Sequence, residues 1–260
     1  MRTVTFSRIA GVLALSGAAL LTGCVPLTPI KEVAGNADAY SARALSITAL
    51  APSVRAKLPA PGSQPLGFRK LVFTGATHIV GAGNQSLDSE FESTFYNDRD
   101  DGTVRNVHIG KRNGLPVDYL VALSYRNVAW LIDQSGPFNV TYMPPRLMVR
   151  SIEQWPGDLA DIPENGTFTF EAGAGREGVL VSGPRQTVTC TSGTNYPASR
   201  LQPQIPGQAI DLNCVQTRDS GVQFRKTRRV FLRQFGIAMI VEAVTAGSTA
   251  TMTVKTFQVE

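Results

Sequence analysis

A mostly β fold is what the sequence predicts: an antiparallel, sandwich-like body, formed as one unit or as two small β domains, with one short helix ahead of it. Two observations carry this. After residue 60 the apolar runs are short, rich in Val, Thr, Phe and Tyr, and separated by turn signals at close intervals, which suits a sandwich or barrel better than a βαβ protein. Gly (24) and Pro (16) are scattered through the whole chain, and charged residues make up only 17% of it, so long amphipathic helices have little room.

In chain order, residues 24–61 read as a tether followed by the helix. Pro26 and Pro29 keep the tether extended. The stretch 36–57 is rich in Ala and Leu, and Tyr40, Ala44, Ile47 and Val54 fall near helical spacing, with Pro52 expected to end or kink the helix. Pro59, Pro61, Gly62, Pro65 and Gly67 then mark a boundary. Residues 62–152 supply strand signals at 68–80, 91–96, 103–109, 119–133, 138–143 and 147–152. Asp101-Gly102 offers the positive φ of a hairpin between the second and third of these, while 119–133 reads as one long strand or a bent pair. Residues 153–166 form a candidate linker. Residues 167–260 add signals at 167–171, 179–181, 186–191, 209–215, 221–240 and 250–259, with Ala172-Gly173-Ala174-Gly175 read as a turn.

Residues 1–23 are of a different kind. Arg2 and Arg8 are followed by an apolar run from Ile9 to Leu21, then the small pair Thr22-Gly23, then Cys24. A membrane-spanning helix needs about 20 apolar residues, more than this run supplies. Leu21-Thr22-Gly23-Cys24 resembles the lipobox that closes the signal peptide of bacterial lipoproteins. That resemblance implies cleavage before Cys24, acylation of Cys24, and a mature chain of about 237 residues. With Val25 rather than Asp after the cysteine, it implies an outer-membrane anchor with the protein facing the periplasm. For the remainder of the chain no family resemblance is visible.

Once Cys24 is set aside for lipid, Cys190 and Cys214 remain as an even pair in a disulfide-permissive compartment, and a bridge between them is expected. Closing a loop of about 25 residues contributes roughly 3 to 3.5 kcal/mol. The formal net charge of +5 falls to +3 when Arg2 and Arg8 leave with the signal, too small an excess to indicate nucleic acid.

No metal-ligand spacing, cofactor motif or nucleophile motif stands out. The acidic cluster Asp98 to Gly102 departs from the EF-hand pattern and reads as a solvated hairpin tip. Arg225, Arg229 and Arg233 fall on one face of a strand, where they suit an anionic glycan or an acidic patch on an envelope protein; the alternative is an edge strand protected by charge. The function expected is a non-catalytic binding or assembly component of the cell envelope. The alternative is a hydrolase whose site gathers distant residues such as His78, His108 and Asp118. Replacing Cys24 by Ser is expected to abolish fatty-acid labelling and to release the protein from the membrane fraction; retention after a carbonate wash contradicts a lipid anchor.

Overall fold

The structure is a computed structural model that describes residues 27–179, 183–219 and 221–260. Twelve strands dominate it: β1 (Lys70–Gly81), β2 (Ser86–Tyr96), β3 (Thr103–Arg112), β4 (Leu115–Tyr125), β5 (Ala129–Pro137), β6 (Leu147–Gln154), β7 (Thr167–Arg176), β8 (Arg185–Pro197), β9 (Gln208–Arg218), β10 (Gln223–Leu232), β11 (Ile237–Thr245) and β12 (Ser248–Val259). Each pairs antiparallel with its sequence neighbours, and β12 pairs with β1, so the sheet closes on itself as a barrel.

A closed barrel corrects the expected sandwich. Alternation along each strand is the same in both architectures, and only the pairing of edges far apart in sequence decides between them. Two seams make that closure. Ile132 and Asp133 of β5 meet Met148 and Leu147 of β6, and the stretch 242–244 of β11 meets 249–251 of β12. Between these narrow seams lie two broad six-stranded sheets, β12 with β1 to β5, and β6 to β11. Because β12 comes from the C-terminal end yet joins the sheet of the first half, the two halves of the chain share one barrel.

Other expectations change for local reasons. Residues 119–133 form parts of β4 and β5, divided by a two-residue turn at Arg126-Asn127, and 221–240 divides into β10 and β11 at a turn ending in Gly236. Residues 138–143 are not a strand; they lie in the β5–β6 connection, where Tyr142 bridges to Pro29. Ala172 to Gly175, expected as a turn, lies within β7 and pairs with β6. The expected strand at 179–181 falls largely outside the described residues.

The single expected helix is instead α1 (Lys31–Gly35), α2 (Ala37–Ala44) and α3 (Pro52–Arg55), with a 3-10 turn at Ile47–Ala49. The Asn36 side chain caps α2 by accepting from the Ala39 N–H. Pro52 opens α3 rather than ending a helix, since at a first helical position its missing N–H costs nothing. Tyr40, Leu45 and Val54 are buried where these short helices lie on the outer face of the barrel, α2 over β3 and β4, and α3 over β6.

Candidate binding cavity

The registers sort most strands into an outer and an inner face, while the end of β10, from Arg229 to Leu232, is buried on both. Inward-facing residues include Leu71 and Phe73 of β1, Phe91 and Phe95 of β2, Phe170 and Ala172 of β7, Cys190 of β8, Ile210, Leu212 and Cys214 of β9, and Thr227, Arg229 and Phe231 of β10. Cys190 and Cys214 stand directly opposite one another in the β8–β9 ladder and are joined by a disulfide inside the barrel. One end of the barrel is packed shut by Phe235, Ile205, Leu159 and Ile162, the last two from the 155–166 connection that sequence marked as a linker.

Toward the opposite end the packing leaves a cavity of about 290 Å³. Its walls are mixed: Val128, Leu131, Leu147, Val149, Phe170, Ala172, Ala174, Val188 and Phe224 alternate with Asp133, Gln186, Gln216, Arg218, Arg225 and Arg229. A smaller lobe of about 100 Å³ adjoins it, lined by Phe91, Phe95, Leu120, Met239 and Met252 together with Ser93, Asn106, His108 and Asn127. Trp130 and Arg225 line both.

The floor of the cavity depends on the β4–β5 turn. Arg126 and Asn127 both have positive φ (50° and 54°), and the Val128 N–H donates to the Tyr125 carbonyl, which makes a tight hairpin of the primed type without glycine. A bulky residue in that region is strained, and three buried contacts hold it there. The Arg126 Nη1 donates to the Gly236 carbonyl, the Ala238 N–H donates to the Arg126 carbonyl, and the Asn127 side-chain amide donates to the Ala238 carbonyl. Gly236 itself sits at φ 64°, and a Cβ there would lie 2.4 Å from Arg126 Nη1, so a larger residue would displace the Arg126 guanidinium from its bond to the Gly236 carbonyl.

Arg229, 1% exposed, completes this arrangement. It donates through Nη1 to the carbonyls of Asn127 (2.8 Å) and Val128 (2.9 Å), and through Nε to Thr227. Burial, and then the Arg225 charge beside it, push its pKa down to about 9, so it remains charged at neutral pH. Half-buried Arg225 lies with its guanidinium carbon 5.8 Å from the centre of the Trp130 ring. The alternation read from sequence therefore placed Arg225 and Arg229 correctly on one face, but that face is the interior. Arg233 follows β10 and is held by Asn195 and by the Ile162 carbonyl, away from the other two. Strand β10 lies between β9 and β11 and is not an edge.

The remaining sequence candidates separate. His78 is on the outer face, 2.7 Å from Asp88. His108 is inside, its Nδ1 2.6 Å from Ser93 Oγ, stacked on Phe91, with its pKa pushed down by burial against the opposing effect of Asp118. Asp101 is fully buried and accepts from the Thr103 N–H and from Arg99, so the acidic cluster is a braced connection rather than a solvated tip. Cys24 lies outside the described residues. Sequence reasoning missed Trp130, Asp133 and the 126–128 turn. Trp130 was visible as part of an apolar run, whereas Asp133 carried no signal of its inward position.

No family model matches the chain, and no curated protein matches it. Among solved structures it is similar to a DUF1329 family protein from Desulfovibrio piger, at 9% identity and a TM-score of 0.37, covering 74% of this chain and 86% of that one. A Vibrio parahaemolyticus domain named, provisionally, for outer membrane lipoprotein sorting gives 9% identity and 0.37, covering 74% and 85%. The hypothetical lipoprotein YmcC from Escherichia coli gives the same identity and score, covering 75% and 89%. A likeness at this level assigns the chain to no family.

Asp133 gives the cavity a pH signature. Burial raises its carboxyl pKa to about 6, against the opposing pull of Arg225. Between about pH 4 and 6 the folded protein holds a proton that the unfolded chain has released, so stability falls as pH rises through that window, by about 2 kcal/mol. Urea unfolding of the native protein and Asp133→Asn at pH 4 to 7 is expected to show this slope only in the former; parallel curves contradict the assignment.

Proposed function

We propose that the chain is a non-catalytic binding protein of the bacterial cell envelope, anchored through a lipid on Cys24, that takes the apolar part of a small molecule into its barrel. The observation that carries this reading is the cavity of about 290 Å³ inside the barrel, to which ten aliphatic or aromatic side chains and six polar ones contribute. That volume lies near the lower edge of ligand pockets, which run from roughly 300 to 1,000 Å³, so the occupant is a small molecule or a single short chain. The lipobox resemblance supports the address, and Val25 supports the outer membrane.

A hydrolase would draw on Ser93 and His108, the one hydroxyl–imidazole contact in the chamber's wall. The adjoining lobe of about 100 Å³ leaves little room for a substrate there, which favours binding over turnover. An apolar fluorescent probe such as N-phenyl-1-naphthylamine is expected to bind the purified protein with one site. Ala174→Phe, which projects a ring into the cavity, is expected to weaken that binding at least tenfold while leaving the circular dichroism spectrum intact. Equal binding by the folded variant contradicts the cavity as the site.

A further inference from the structure

Two polar groups in the cavity wall are not accounted for by the fold. The Nε of Arg225 and the indole N–H of Trp130 are both buried, and neither has an acceptor among the described residues. Both side chains line the larger cavity and the smaller lobe, so they stand where the two meet. Buried donors without acceptors are rare in folded proteins and call for an explanation.

Charge points the same way. Arg229 is buried beneath Arg225 and donates only to neutral acceptors, the carbonyls of Asn127 and Val128 and the hydroxyl of Thr227. Those bonds satisfy its geometry without supplying an opposite charge. Asp133 is the one carboxylate in the cavity lining, and among the described residues it makes no ion pair with either arginine. Three guanidinium groups, exposed Arg218 at the rim with Arg225 and Arg229 deeper, against one carboxylate leave the chamber net positive, in surroundings where an uncompensated charge is costly. Guanidinium and indole N–H are suitable donors to an anionic oxygen.

We propose that the chamber is made for an amphipath with one anionic head, a carboxylate or a phosphate monoester, held by Arg225 and Trp130 at the junction of the two lobes. The apolar chain lies along Leu131, Val149, Phe170 and Val188 in the larger one. This rests on the reading of the barrel as a binding chamber and names the class of molecule that enters it.

The test uses the exported full chain carrying Cys24→Ser, so that no detergent competes for the chamber, and Trp155→Phe, so that Trp130 is the only tryptophan. Decanoate, decyl phosphate, decanol and decylammonium are titrated while Trp130 emission is followed. At least one of the two anions is expected to bind roughly tenfold or more tightly than decanol and to shift Trp130 emission, with decylammonium weakest; which anion leads identifies the head. Arg225→Gln is expected to remove the preference for an anion, read as the ratio of anion to decanol affinity in the same folded protein. Anions that bind no better than decanol overturn the proposal without recourse to any arginine variant, and so does a folded Arg225→Gln protein that keeps the preference. In both of those cases decanol still binds and the chamber reading stands. If none of the four binds, the chamber reading itself fails.

Discussion

The structure depends on one buried contact between its two sheets: the Arg229 guanidinium of β10 gripping the carbonyls of Asn127 and Val128 in the β4–β5 turn. The turn needs this grip because its two central residues are an arginine and an asparagine at positive φ, a conformation that glycine adopts freely and arginine does not. Contacts from Gly236 and Ala238 hold the same turn from β11 and its preceding loop. The first sheet is thereby fastened to the second across the interior, at a place where neither seam reaches.

That fastening also explains where the cavity lies. With β5 meeting β6, and β11 meeting β12, over only a few residues, the sheets are free to diverge between the seams. At the closed end the space is filled by Phe235, Ile205, Leu159 and Ile162. Beyond the inserted turn it is not filled, and the next inward side chains, Trp130 from β5 and Arg225 from β10, reach toward one another over the opening. The fixed turn sets where Trp130 begins its strand, and Arg229 lies one inward step from Thr227 and two from Arg225 on β10. Structural and ligand-directed roles are thus divided between neighbouring arginines on one strand face.

The β character of the chain was legible because alternation and turn residues are local properties, and β1, β3, β6, β9 and β12 emerged within three residues of their predicted bounds. Closure was not legible, since it depends on pairs such as Asp133 with Leu147 and Glu242 with Thr251 that no local pattern marks. The turn at Arg126-Asn127 was hidden for a related reason: it lacks the glycine that usually signals such a hairpin, and its conformation is imposed by tertiary contacts. Spacing put Arg225 and Arg229 on a common face, but an arginine-rich strand reads as solvated. Nothing in the sequence shows that the carbonyls of a distant turn await one of them. The pairing of Cys190 with Cys214 was legible by elimination, because few cysteines were left to choose from.

Equilibrium urea unfolding of Arg229→Met tests this account most directly. Methionine fills much of the same space without donors, leaving two buried carbonyls unsatisfied at about 1 to 3 kcal/mol each. The account predicts a loss of at least about 2 kcal/mol relative to the native protein. A variant as stable as the native protein, or more stable, as happens when a buried charge is merely an expense of folding, would contradict the claim that this arginine holds the two sheets together.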